Sequence, residues 1–179
     1  GEKGRGMRAF WVVIVSSLLA SCSFVSDDGT VHEKLVTPDI ILENAAYTLG
    51  QSGESPIFIK SSRIEFYSKD NRATTEALSF VQYNDDGNAR LEGSADNSVI
   101  DTESKRMELE GNVKLSENDS GMMIEADTLI FDSENEEITA DGHVRVVSKD
   151  GEFEGTGFAG DLMTSSYSFA SIEKGVFKL

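Results

Sequence analysis

From about Pro38 onward, apolar and polar residues alternate with a period of two. The run Met107-Glu108-Leu109-Glu110-Gly111-Asn112-Val113-Lys114-Leu115 switches at every step, with Gly111 in an apolar slot, and Ile138-Thr139-Ala140-Asp141-Gly142-His143-Val144-Arg145-Val146 does the same. Such alternation predicts strands with one face on an apolar interior and the other in water. At about 3.3 Å per residue, each run spans roughly 30 Å, long for a strand. The two runs belong to a repeat: Ala95-Asp96, Asp101, Gly111, Val113 and Lys114 return 31 residues later, without a gap, as Ala126-Asp127, Asp132, Gly142, Val144 and Arg145.

Within the repeat, Met122-Met123-Ile124-Glu125-Ala126-Asp127-Thr128-Leu129-Ile130-Phe131 changes parity. Ile124 and Ala126 share one parity and Leu129 and Phe131 the other, so a bulge near Asp127 is expected to return all four to one face. Asp132-Ser133-Glu134-Asn135-Glu136 then reads as a hairpin turn. Weaker echoes flank the pair at Ile64–Asn71 and at Asp161-Leu162 with Ile172–Val176. Further strands are predicted over Ile40–Thr48, Thr74–Tyr83 and Phe153–Met163. Turns are predicted at Gly50–Gly53, Asn84–Gly87, Glu117–Gly121 and Lys149–Gly151. No stretch after Cys22 sustains a helical period. The fold class expected is all-β, a stack of long antiparallel hairpins closing over one interior, with no helix apart from a signal peptide.

Composition fits a packed chain of 179 residues, with 39% hydrophobic residues and 2 prolines. The net charge of −16 excludes nucleic acid as a partner, because phosphates need a basic face, and disfavours electrostatic adhesion to anionic membrane surfaces. Lys3, Arg5 and Arg8 are the exception, and the apolar run that follows them at residues 9–20 is too short to span a bilayer. With the basic flank it reads as a signal peptide, for which Met7 suffices as a start. Leu19-Ala20-Ser21-Cys22 resembles a bacterial lipobox, which makes Cys22 the expected lipidation site and the membrane a partner through its acyl chains. Three segments are expected: 1–21 signal peptide, 22–38 lipidated cysteine and polar tether, 39–179 β-domain.

The single cysteine leaves no disulfide framework and no Cys-based zinc cluster. His32 falls in the tether and His143 on the polar parity of its strand, and no Ser or Cys nucleophile motif accompanies either. The acidic turns at Asn84–Gly87 and Asp132–Glu137 lack calcium-loop spacing, and no glycine-rich phosphate cradle is present. Neither an enzymatic activity, nor a metal, nor a cofactor is expected. Gly111 and Gly142 are expected to relieve crowding in the sheet or to mark bends.

The unit Ile124-x-Ala126-Asp127-x-Leu129-x-Phe131-Asp132 with Asp141-Gly142-x-Val144-x-Val146 resembles the OstA-like repeat of lipopolysaccharide-transport proteins. The order of elements, including Pro56–Tyr67 and the late run Asp150–Phe158, resembles the periplasmic LptC type. The resemblance covers about Asp39 to Leu179. It implies a twisted, partly open β-jelly roll that receives lipopolysaccharide or a related glycolipid from the permease subunits of an inner-membrane ABC transporter. An LptA-like bridge protein would then take the lipid by edge-strand pairing, on the periplasmic side of the inner membrane. LptC proteins commonly use an uncleaved transmembrane helix, where this chain carries a lipobox. Alternation places Ile64, Phe66, Met107, Leu109, Val113, Leu115, Ile124, Leu129, Phe131, Ile138, Val144, Val146, Phe153, Leu162, Tyr167 and Phe169 on the inner face. There they either pack a core or contact acyl chains, and one residue can do both. Two other readings stay open: an envelope scaffold that pairs through its edges and binds no lipid, and an LptA-like bridge component itself.

Overall fold

The computed structural model describes residues 37–50 and 55–178. The expected signal peptide, Cys22, nearly all of the tether and most of the turn after Gly50 lie outside the described residues. Among the described residues nine strands follow one another: β1 (Ile40–Leu49), β2 (Ile57–Tyr67), β3 (Arg72–Tyr83), β4 (Ala89–Asp101), β5 (Arg106–Glu117), β6 (Met122–Asp132), β7 (Glu137–Val147), β8 (Gly151–Asp161) and β9 (Ser166–Phe177). Each pairs antiparallel with the next, giving one sheet in the order β1 to β9. A 3-10 turn, Ser68–Asp70, joins β2 to β3. The strand expected to run to Met163 stops at Asp161 because that carboxylate accepts the Thr164 N–H at 2.9 Å and starts a turn.

The repeat is visible in these turns. Asp101 Oδ1 accepts the N–H groups of Glu103 and Ser104 at 2.9 Å each, and Asp132 Oδ1 those of Glu134 and Asn135 at 3.0 and 3.1 Å. An aspartate that folds onto the next backbone amides builds an Asx-turn, which is why the same residue recurs at this point of each unit. The N–H groups of Ser104 and Glu103 hold the Asp101 carboxyl below the usual range. A depressed carboxylate stabilises the fold above its unfolded pKa, and that contribution is lost as pH falls through the folded value. Urea midpoints should therefore drop below roughly pH 4, and Asp101→Asn should flatten part of that dependence. An unchanged profile in the variant would remove this turn from the acid response.

Each strand from β1 to β8 carries a change of inward parity, a register shift or a left-handed residue near its middle, and together these mark a crease across the sheet. In β3 the inward residues are Ala73 and Thr75, then Leu78 and Phe80. In β4 they are Leu91 and Ala95, then Ser98 and Ile100. The parity changes between them, as it does in β6 between Ala126 and Leu129, where β5 sets Gly111 and Asn112 against one residue of β6. A bulge adds a residue to one strand and bends it, so the apolar sets on both sides of the crease stay on one face. Left-handed backbone angles mark the line: Asn44 (φ 49°), Ala77 (φ 50°), Gly111 (φ 77°), Asn112 (φ 47°) and Gly157 (φ 64°). A Cβ on Gly111 would lie 2.6 Å from the Asp96 carboxylate, so both conformation and space require glycine there. Gly142, by contrast, has ordinary room for a Cβ, and the expectation of crowding does not apply to it. Ala77 is exposed, so its left-handed angle is a local cost of about 1 kcal/mol. Ala77→Gly should be neutral or mildly stabilising and Ala77→Val clearly destabilising in thermal melts.

The crease divides the sheet into two leaves that fold onto each other. Phe80, from the β3 half beyond the crease, stacks on Phe131 of β6 with centroids 6.1 Å apart and planes within 6°. Strands β3 and β6 are not neighbours in the sheet, so this contact crosses the interior. Ile57, Ile59, Leu91, Leu115, Ile124, Val144 and Val146 on one leaf meet Ile64, Ile100, Met107, Leu109, Leu129 and Ile138 on the other, and all are buried.

Candidate functional site

All the expected inner-face residues point inward. Ile64, Met107, Leu109, Val113, Leu115, Ile124, Leu129, Phe131, Ile138, Val144, Val146, Phe153 and Leu162 are buried. Phe66, Tyr167 and Phe169 are half-buried and pack against the same cluster. Sequence reasoning missed Leu49, Ile57, Ile59, Leu78, Phe80, Leu91, Ile100, Met122 and Phe158, which complete the interior. Phe80 and Phe158 fit the alternation once the inward parity is allowed to change within β3 and β8, so the signal was present but masked by that change. The space between the leaves is filled. Side chains of the two leaves interdigitate, and Phe131, Ile64 and Val144 have 0% exposure. The middle of the roll is sealed.

Its two ends are not. On the β1 edge Ile40 is 51% exposed, with Ile41 and Leu42 beside it. On the β9 edge Phe177 is 73% exposed, with Ile172 and Val176. Behind that edge stands an aromatic cluster: Phe158 lies 5.3 Å from Phe169, Phe153 6.2 Å from Tyr167 and 5.1 Å from Phe177. Both edge strands also leave one row of backbone N–H and C=O groups without a neighbouring strand among the described residues. A long apolar edge of this kind is a template for pairing with another chain.

The margins of the leaves, opposite the crease, are tied by a polar contact. Between Gln82 and Tyr83 the register of β3 with β4 shifts: Gln82 faces Leu91 and Tyr83 faces Ala89, which leaves Arg90 as the extra residue. A bulge re-aims the side chain it carries. The Arg90 guanidinium turns across to the β6–β7 turn, where Nη1 donates to Glu136 Oε2 at 3.1 Å and Nη2 to Glu136 Oε1 at 2.8 Å. Nη2 also donates to Gln82 Oε1 at 2.6 Å, and Gln82 Nε2 to the Ser55 carbonyl at 3.0 Å. Glu136 itself has a left-handed φ of 55°.

The outer face is polar and acidic. A groove of about 520 Å³ lies on it, lined by Glu65, Glu76, Glu108, Glu110 and Asp141 together with Val99 and Ile130. Arg63 stands at one end, 2.7 Å from Glu65. The Tyr67 hydroxyl, and then Arg63, hold the Glu65 carboxyl below the usual range. Arg145 lies on the same face between Glu125 at 2.7 Å and Glu152 at 3.0 Å. His143 is exposed there too, about 4 Å from Glu154 and Glu173. Among the described residues no group of three or more His, Cys, Asp or Glu is placed to hold a metal ion.

No curated protein matches the chain in sequence. Among solved structures, LptH, the LptA-homologous periplasmic component of the lipopolysaccharide transport device of Pseudomonas aeruginosa, shares the fold. The TM-score is 0.57 over 70% of this chain and 95% of that one, at 10% identity. The likeness covers the fold alone, whereas the sequence model of the lipopolysaccharide-assembly, LptC-related proteins matches residues 9–176, nearly the whole chain. This protein belongs to the lipopolysaccharide-assembly, LptC-related family and is a component of periplasmic lipopolysaccharide transport.

Proposed function

We propose that the chain is a membrane-anchored carrier that takes lipopolysaccharide, or a related glycolipid, from an inner-membrane ABC transporter and passes it to an LptA-like bridge protein. The acyl chains occupy the space between the leaves, and lipid on Cys22 holds the domain on the periplasmic side of the inner membrane. The observation that carries this reading is a roll with a largely apolar inner face and exposed apolar residues along both edge strands. Acyl chains leaving a bilayer gain little by entering another apolar phase, so drawing them out of the membrane needs work even though chain and lipid bind once they meet. The chain has no nucleotide motif, which leaves that work to the transporter's ATP hydrolysis. The exposed β9 edge, next to the aromatic cluster, suits the handover side.

The sealed interior favours a second reading, in which the edges assemble envelope proteins and no lipid enters. The two differ in one experiment. Purified full chain mixed with micellar lipopolysaccharide and then separated from micelles by gel filtration should elute with bound glycolipid in roughly equimolar amount. Chain that elutes free of lipid at every ratio, yet still captures an LptA-like protein, would leave the scaffold reading standing.

A further inference from the structure

The contact between Arg90 and Glu136 joins residues 46 apart in sequence, on strands that are not neighbours, where the margins of the leaves meet. Both groups are largely covered, with 17% and 25% of their side chains exposed. Most other ion pairs seen among the described residues lie within one strand or between adjacent strands and hold a leaf together; His143–Glu173 reaches from β7 to β9, but between exposed side chains rather than across the margins. Near β9 a weaker contact also spans the margins, between Ser148 Oγ and the Tyr167 hydroxyl at 3.3 Å.

Three features make the Arg90 contact exchangeable. The Arg90 backbone is held independently, since its carbonyl accepts the Asn118 N–H at 2.8 Å, so the side chain can swing while β4 stays in place. Glu136 sits on a turn, in a backbone region that non-glycine residues occupy at a cost. A guanidinium fork matches a phosphate as well as a carboxylate, with two parallel N–H donors for either. On a chain of net charge −16, a cation placed on the margin between the leaves is the group an anionic headgroup would meet when its acyl chains lie inside.

We propose that Arg90 is a latch that changes partners: bound to Glu136 it keeps the leaves shut, and when they part it takes a headgroup phosphate of the glycolipid. This rests on the carrier reading above and adds to it both a gate and a recognition site. Glu136 is the closing partner, Gln82 orients the guanidinium in the closed state, and the phosphate replaces Glu136 in the loaded state.

The test compares full chain carrying Glu136→Gln, Arg90→Gln or Arg90→Lys with the unaltered chain. Calorimetric affinities are measured for lipopolysaccharide before and after enzymatic removal of its headgroup phosphates, and unfolding curves confirm that each variant is folded. Glu136→Gln removes the closing partner and should tighten both ligands about tenfold, the scale of one charge-assisted hydrogen bond. Arg90→Gln also unlatches the leaves, so it should tighten the dephosphorylated ligand while leaving the phosphorylated one without gain. Arg90→Lys keeps the charge but loses the fork, and should lower the preference for the phosphorylated form in the same direction. If Glu136→Gln and Arg90→Gln act alike on both ligands, or neither alters binding, the latch is overturned while the carrier reading stands. If neither ligand binds any form of the chain, the carrier reading itself fails and the latch with it.

Discussion

Phe131→Ala should lower the unfolding free energy by about 3–5 kcal/mol, a large part of the roughly 5–15 kcal/mol that holds an ordinary domain together. The ring has no exposed surface, and its parallel partner, Phe80, comes from the opposite leaf. Truncation thus empties a site lined from both sides, which the crease keeps from collapsing. Phe131→Leu retains most of the volume and should cost under about 1.5 kcal/mol. Urea denaturation followed by far-ultraviolet circular dichroism separates the two. A cost below about 1 kcal/mol for the alanine variant would show that the leaves are not packed against each other at this point.

The second large effect is expected at Gly155. A Cβ there would fall 2.1 Å from the Ser171 carbonyl oxygen, 3.0 Å from the Phe169 ring and 3.1 Å from the Ile172 Cα. Two of those three neighbours are backbone, which no rotamer change can clear. Gly155→Ala should push β9 off β8 around the pairs Gly155–Ile172 and Thr156–Ser171, where the register already shifts. The loss should be about 1–3 kcal/mol and local. Amides of β9 should exchange fast while those of β3 to β6 keep their protection. Under the carrier reading, capture of a bridge protein through the β9 edge falls with it. Unchanged exchange in β9 would mean that the strand can move aside without losing its pairing.

Much of this architecture is legible in the chain, for a simple reason. Strands with one wet face need period-two alternation, and Met107–Leu115 and Ile138–Val146 show it almost without a break, matching β5 and β7 to within two residues. Asp101 and Asp132 are legible as turn residues because each builds its turn from its own carboxylate. The irregularity at Asp127 is legible because the apolar parity switches openly across it, although the extra residue lies opposite, at Gly111 and Asn112 of β5. The same bend in β5 is hidden, since Leu109, Val113 and Leu115 keep one parity through Gly111. In β3 the left-handed residue is Ala77, a type that no turn rule singles out. Phe80 was lost with that hidden change of parity. The contact of Arg90 with Glu136 could not be read at all: it depends on one extra residue in β4 and on a leaf margin brought back from 46 residues away. The filled interior was equally out of reach, because alternation reports which face is apolar and not what lies against it.

Photocrosslinking in living cells tests the central claim most directly. A photoreactive phenylalanine placed at Phe169, half-buried on the inner face beside Phe158, is compared with one at the adjacent Ser168, exposed on the outer face. The account predicts lipopolysaccharide adducts at 169 that disappear when the transporter's ATP hydrolysis is blocked, and none at 168. Adducts to protein partners alone at both positions, with no glycolipid at 169, would contradict it.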